Sequence, residues 1–390
     1  LIAEKRKDFL ARWTPAKYRQ LLDILDSRSR THVPFRVAET PCFLPAALHS
    51  QLVESGRTLI HQLQGDAYRS VSDLAIPPQF KVQNEPARPL FVQADFGLIE
   101  GADGKLEPRL VEIQGFPSLY AFQSVLTETY SEVFELPHSG YPGYRQLFRD
   151  AVVGRHDPDN VILLEIDPAN QKTLCDFNLT EEWLGVRAVC ITAIRQRGRR
   201  LFYERDGIEV PIARIYNRAI TDEQVRRGIR PGFRWTDELD VEWAGHPNYY
   251  FRISKFSLPY LTHRTVPETH FLDRLPEWPT DLEEWVLKPL YSFAGLGVRV
   301  GPERAELDAI AASDRANWIL QRRCRFAPAI ETPAGRTQAE IRVMFIWLEE
   351  LHAVATLIRM GRGKMMGVDH NKNMEWVGAS AGLTEALENA

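Results

Sequence analysis

Asp95 and Glu112 stand at opposite ends of the stretch ADFGLIEGADGKLEPRLVEIQG, which reads as a β-hairpin. An Asp-Gly pair between two alternating runs is a hairpin turn signal, and a two-residue turn at Asp103 and Gly104 pairs residues whose numbers sum to 207. Asp95 then faces Glu112 across the ladder. Gln93 faces Gln114 on the same side, because side chains alternate with period two. Two carboxylates held opposite one another repel unless a cation lies between them or one keeps a proton. Magnesium meets that need with one or two carboxylates, and water and phosphate oxygens complete its shell. A solvated sheet face explains the same pair, and a bulge at Pro108 would break the register by one residue.

A second candidate lies in WVLKPLYSFAGLGVRVG. A strand carries Lys288, a short loop holds Ser292, Gly295 and Gly297, and a second strand leaves from Val298. Backbone amides freed by small residues can wrap phosphate oxygens, with the lysine as a point charge. The Walker pattern is absent, and GRGKMM at Gly361 to Met366 has no Ser or Thr after its lysine, so an ordinary turn stays open. In EIRVMFIW, alternation sends Ile341, Val343 and Phe345 inward and leaves Glu340 with Arg342 as a polar face or an ion pair. DHNKN, Asp369 to Asn373, offers ligands for a metal or a substrate, or forms a polar loop.

The elements that must position these groups change character along the chain. PAKYRQLLDILDSRSR and PAALHSQLVESGRTLIHQLQGD have helical periodicity, each opened by proline, and predict a helical cap or arm. Strand patterns begin at Pro89. NVILLEID, a helical stretch and VRAVCITAI then predict a strand, helix, strand crossover in a small parallel sheet. The chain of 390 residues is 44% hydrophobic and 26% charged, as expected of an α/β enzyme-sized protein of several sub-domains. A net charge of -4 supplies no broad basic field for nucleic acid or an anionic membrane, and the run RQRGRR beside the Asp206-Gly207 turn reads as a solvated hairpin tip. Cys42, Cys175, Cys190 and Cys324 form no zinc or disulfide pattern. No apolar run reaches the ~18 residues of a membrane span, and LIAEKRKDFL has no signal-peptide h-region, so a cytoplasmic protein is expected.

From Pro89 to Gly382 the order of motifs resembles the circularly permuted ATP-grasp proteins, the group of glutathionylspermidine synthase-like and related ligase-like proteins. The matching stretches are the acidic hairpin with its following Pro-Ser, ARIYNRAITDE, KPLYSFAGLG, WILQRRC and EIRVMFIW. Two positions depart from the pattern: Gln114 replaces the usual Asn of Glu-x-Asn, and Asn217 the first Arg of Tyr-Arg-Arg. The resemblance implies an α/β (α+β) ATP-grasp-like, circularly permuted fold. Its divisions would be a helical region at 1–84, the metal-binding hairpin half of the core at 85–150 and a substrate domain at 151–250. A lid at 251–330 and the rest of the core at 331–390 would follow. It implies magnesium on Asp95, Glu112 and Gln114, and nucleotide phosphates on Lys255, Lys288 and the loop Ser292 to Gly297. Gln321, Arg322 and Arg323 would form the hinge beside adenine. Arg342 would neutralise the transferring phosphoryl group, with Lys288 and Arg218 also in catalytic roles, and Arg214 and Arg218 would bind a substrate carboxylate. The implied activity is an ATP- and magnesium-dependent ligation of a small-molecule or peptide carboxylate to an amine or thiol. A non-catalytic nucleotide-binding or scaffold protein is the alternative that Gln114 motivates.

Overall fold

The computed structural model describes residues 1–137, 140–291 and 295–384, with the backbone alone of Asp369 and His370. Its largest sheet has six strands in the spatial order Cys42–Leu44, Gly378–Thr384, Leu351–Gly361, Gln338–Trp347, Phe91–Glu100 and Leu106–Gln114. All neighbours are antiparallel except the first pair. Period-two alternation gives this core sheet two unlike faces. Val92, Ala94, Phe96, Ile341, Val343 and Phe345 share a core with Leu52, Leu59 and Ile60 of the helix Ala46–Gln62. On the other face Phe91, Met344, Ile346 and Leu357 lie in a core with Tyr120, Val125 and Leu126 of the helix Tyr120–Phe134. Along the same strands that second face continues as Asp95, Glu340, Arg342 and Arg359. One face is thus apolar along part of its length and charged along the rest.

The N-terminal region is more than an arm. Its helices Pro15–Ser29 and Ala46–Gln62 follow the predicted periodicity, Ala3–Arg12 and Asp66–Ser72 add to them, and Thr14 caps Pro15–Ser29 by accepting from the Lys17 N–H at 3.2 Å. Leu21 and Leu25 are fully buried in the same core as the helices Tyr120–Phe134 and Leu174–Leu184. Each such leucine contributes about 1.5–3 kcal/mol of transfer free energy, which an isolated arm would forgo. The same region supplies the edge strand Cys42–Leu44, paired in parallel with Gly382 to Thr384.

The hairpin pairs Asp95 with Glu112 and Gln93 with Gln114, as the turn rule predicts, but through two offsetting deviations. The turn is a residue longer than expected: Gly101 N–H donates to the Lys105 carbonyl at 2.7 Å, around a loop in which Gly104 has φ 75°. From Glu100 with Leu106 to Phe96 with Leu110 the register is therefore one residue off. A bulge at Val111, rather than at Pro108, restores it.

A second, wholly parallel sheet has the order Glu242–Ala244, Arg214–Asn217, Val161–Glu165 and Arg187–Cys190. The chain leaves Val161–Glu165 to one side through the helix Leu174–Leu184 and returns on the other side, which makes its junction with Arg214–Asn217 a topological switch point. The return passes through the meander Arg195–Arg197, Arg200–Arg205 and Ile208–Ile212. Its basic run is a solvated, ion-paired edge, with Arg195 on Glu204 and Arg199 on Asp240. A third, antiparallel sheet, called the lid sheet below, orders Thr269–Phe271, Trp318–Arg322, Trp285–Pro289 and Arg299–Val300. Trp285, Leu287 and Leu320 pack into its own small core with Leu272 and Leu307. Among the described residues no helix is long and apolar enough to cross a membrane.

Candidate functional site

Between the lid sheet and the charged part of the core sheet lies a cleft of about 620 Å³. The lid contributes Val286, Lys288 and Gln321, the hairpin Glu112 and Gln114, and the core strands Glu340, Arg342 and Arg359. Phe326 of the segment leaving the lid also lines the cleft and lies against the hairpin at Gly97, where a Cβ would stand 1.9 Å from its ring. Glycine is required there for the lid to seat on the core sheet. The adjacent Ala327 N–H donates to the Leu98 carbonyl at 2.7 Å and fixes that approach.

Antiparallel register builds the charge pattern. Arg342 is the cross-strand partner of Asp95, and Arg359 that of Glu340. The Arg342 guanidinium donates from Nε and Nη2 to the two Asp95 oxygens, each at 2.6 Å, and Arg359 Nη1 reaches Asp95 Oδ2 at 3.1 Å. Arg359 also pairs with Glu340. Burial alone would push the Asp95 carboxyl up, but the two guanidinium groups outweigh it and hold it below its ordinary value. For Glu340 burial prevails over Arg359, and its carboxyl sits above the usual range.

This pattern corrects the argument for a cation between Asp95 and Glu112. The cations that face the two acids are guanidinium and ammonium groups of the chain. Asp95 is 1% exposed with both oxygens engaged, which does not fit a metal ligand. Glu112 lines the cleft, accepts from Gln114 Nε2 and stands 3.7 Å from Lys255 Nζ. Among the described residues no group of three or more His, Cys, Asp or Glu side chains stands together as a metal cage. Glu112 and Glu340, the carboxylates that line the cleft, do fit a magnesium ion that takes its other oxygens from phosphate and water.

Lys288 has a different environment. It is buried, and its ammonium donates to the Val111 carbonyl at 3.1 Å and to Gln321 Oε1 at 2.6 Å. Both acceptors are neutral. Burial lowers its affinity for the proton, Glu112 raises it, and the net shift is downward. An ammonium held by neutral acceptors in a cleft is suited to an incoming anion.

The remaining predicted residues divide into those inside the cleft and those elsewhere. Gly295, Arg322 and Arg323 line it, whereas Gly297 packs beside Pro289. Gly295 and Gly297 adopt φ of 75° and 77°, a backbone that glycine favours, and a Cβ on Gly295 would meet Met365 of the facing loop at 3.1 Å. Ser292 lies outside the described residues. Arg214 is not brought to the cleft: it donates to the carbonyls of Val152 and Ala151 and pairs with Glu242 at 2.6 Å. Arg218 is buried, with its guanidinium 5.1 Å from the ring centroid of Phe116, a residue that lines the cleft.

Local patterns missed two parts of the site. Arg359 lies in a strand that reads as apolar, HAVATLIRMG. The segment Arg362 to Val368, most of it in the GRGKMM stretch that lacks a Walker pattern, forms a wall of the cleft. Buried Asn371 shapes it, accepting from the Arg362 and Gly363 N–H groups and donating to the Met365 and Gly367 carbonyls. Tyr250, which also lines the cleft, donates to Asp222 Oδ2 at 2.7 Å. Tyr120 and Tyr249, by contrast, belong to the hydrophobic cores.

No protein-family model and no curated protein matches this chain. Among solved structures it is similar to the apo form of a glutathione synthetase-like effector, GSS30, from Globodera pallida. The TM-score is 0.62 at 11% identity, over 95% of this chain and 96% of that one. The likeness extends over both chains nearly end to end, so this chain shares the overall fold of that glutathione synthetase-like protein.

Proposed function

We propose that this protein is an ATP- and magnesium-dependent ligase that joins a carboxylic acid to an amine or thiol through an acyl phosphate. The observation that carries this reading is the convergence of Lys288, Lys255, Arg342 and Glu112, from distant parts of the chain, on one cleft in a glutathione synthetase-like fold. The order of the motifs supports the finer reading of that fold as a circularly permuted ATP-grasp. Lys288 and Lys255 hold the nucleotide phosphates, and the Gln321 to Arg323 strand end borders the base. Glu112 and Glu340, with Gln114 beside them, would hold magnesium, which supplies positive charge against the phosphate oxygens. Arg342, clamped by Asp95 through Nε and Nη2, keeps Nη1 for the transferring group. The γ-phosphoryl passes to the substrate carboxylate and ADP is released. The amine, once it has given up its ammonium proton to solvent, bonds through nitrogen to the acyl carbon, the bond from that carbon to the phosphate oxygen breaks, and inorganic phosphate and a second amine proton are released. Arg218, at the carboxyl end of a parallel strand, is the remaining candidate for a substrate carboxylate.

A second reading is a nucleotide-binding scaffold without catalysis. The internal pairing of Arg342 and Arg359 with Asp95 and Glu340 supports it, because these charges are compensated before any ligand arrives. Calorimetric titration of Mg·ATP into the full chain, with Glu112→Ala and Lys288→Met alongside, tests both. The ligase reading expects magnesium-dependent binding that each variant weakens by at least about tenfold, since a charge-assisted contact is worth about 1.5–3 kcal/mol. A protein silent to Mg·ATP at millimolar concentration sinks both readings. Binding without ADP release across a panel of acids and amines favours the scaffold.

A further inference from the structure

We propose that Tyr250 and Asp222 form the subsite for the amine co-substrate, with the Tyr250 hydroxyl oxygen accepting an N–H of a protonated alkylamine and the Asp222 carboxylate acting behind it as a positioning charge. The proposal deepens the ligase reading and rests on it.

The hydrogen bond sets the polarity of the subsite. Tyr250 gives its proton to Asp222 Oδ2 at 2.7 Å, so its oxygen is left with lone pairs for a donor. A phosphate or carboxylate offers acceptors, whereas an ammonium group offers the donors that this oxygen lacks. Burial, then Asp222, push the Tyr250 phenol well above its usual value, which keeps the proton in place and the direction fixed. Asp222 comes from the short helix Thr221–Arg226, which follows the parallel strand Arg214–Asn217. It carries negative charge to a tyrosine of a cleft otherwise rich in lysine and arginine.

The walls also suit a cation. The Phe116 ring meets Tyr250 edge to face at 5.7 Å between centroids, and Phe116, Tyr250 and Tyr291 all line the cleft. Tyr291 is fixed by donating to the Ala75 carbonyl at 2.5 Å. Aromatic faces beside a carboxylate attract alkylammonium groups and give little to anions. The charged and titratable groups around Asp222 are Tyr250, Tyr291, Lys255 and Arg226, with Glu112 beyond Tyr250. Burial raises the Asp222 carboxyl, while Tyr250, Lys255 and Arg226 pull it back only in part. Ammonium binding should therefore weaken on acidification from above the usual aspartate range.

The test is a titration of n-propylammonium chloride into the full chain, against sodium chloride at equal ionic strength, followed by saturation-transfer NMR. Wild type is expected to bind. Tyr250→Phe and Asp222→Asn should each weaken binding about tenfold, the scale of one lost charge-assisted contact. Asp222→Glu should restore much of it. Wild-type binding should fall as pH is lowered, and that fall should be shallower in Asp222→Asn. Absence of binding to wild type, or wild-type affinity in Tyr250→Phe with an unchanged melting temperature, overturns the proposal. Separate titration of Mg·ATP into wild type keeps the two claims apart. Propylammonium binding that depends on Tyr250 without any Mg·ATP binding supports the subsite and removes the ligase reading, and the converse removes the subsite alone.

Discussion

Two buried polar regions of this molecule solve the same problem in opposite ways. On the core sheet, every carboxylate of the charged face stands near a cation: Asp95 by Arg342 and Arg359, Glu340 by Arg359, and Glu112 by Lys255. At the carboxyl ends of the parallel strands Val161–Glu165 and Arg214–Asn217, burial is as deep but pairing is incomplete. Asp176 Oδ2, Tyr216 Oη, Thr221 Oγ1, and Arg218 Nε and Nη1 lack hydrogen-bond partners among the described residues. Glu165, close enough to Arg218 to feel its charge, is pushed up to about 8, chiefly by burial. The difference follows from topology. An antiparallel ladder sets residues of adjacent strands face to face, so a register that pairs Asp95 with Arg342 closes its own charges. Parallel strand ends open into a crevice at a switch point, where the expected partner is water or a ligand.

The strongest way to break this comparison is to remove the central acid of the closed region. Asp95→Asn leaves two buried guanidinium groups facing a neutral amide and should cost about 3–5 kcal/mol, the scale for breaking a buried ion pair from one side. Urea denaturation with an unchanged slope checks it. A loss under about 1 kcal/mol would mean that the cluster is more hydrated than its burial implies. The sign with pH is also fixed. The folded Asp95 carboxyl sits below its ordinary value, so its contribution is present above that value and is lost as pH falls through the folded one.

The open region should show the opposite slope. Glu165 holds its proton more tightly when folded, up to about 8, so its contribution is full below the ordinary glutamate range and declines as pH rises toward that value. Glu165→Gln keeps the shape and removes the titration. Its melting temperature at pH 8 should exceed that of wild type, and the difference should shrink toward pH 5. A smaller effect than that of Asp95→Asn is expected, because Glu165 already gives a hydrogen bond acceptor to the Ile166 N–H. Equal pH slopes in variant and wild type would remove Glu165 from the contrast.

How much of this was legible in the sequence depends on distance along the chain. Alternation places Glu340 and Arg342 on one face, and a turn signal brings Asp95 to Glu112, because both are local. The partner of Arg342 lies 247 residues away and that of Arg359 with Asp95 264 residues away, set by which strands become neighbours. No local period encodes that choice. The hairpin also reached the expected pairing through a longer turn and a bulge at Val111 that offset one another, so its agreement at Asp95 carries less weight than it first suggests. The N-terminal helices Pro15–Ser29 and Ala46–Gln62 were readable as helices, but the edge strand Cys42–Leu44 is too short for a pattern and depends on Gly378–Thr384.

The segment ARIYNR sharpens the comparison at the smallest scale, since it contains one arginine of each kind. Arg214 opens a strand and Arg218 follows its end, so four residues at ~3.3 Å each put them about 13 Å apart along it. Only Arg218 stands at the carboxyl end, where crevices form in parallel sheets. Arg214 instead donates at 3.0 Å and 2.9 Å to the Val152 and Ala151 carbonyls, which close the helix Tyr144–Val152, and its charge sits favourably at that helix's negative end. Arg214→Ala should therefore lower stability by about 1–2 kcal/mol through the lost cap, without altering Mg·ATP affinity. Isothermal titration beside thermal melting separates the two effects. Weaker nucleotide binding in a variant that melts like wild type would return Arg214 to the ligand site and abolish the distinction between the two ends of the strand.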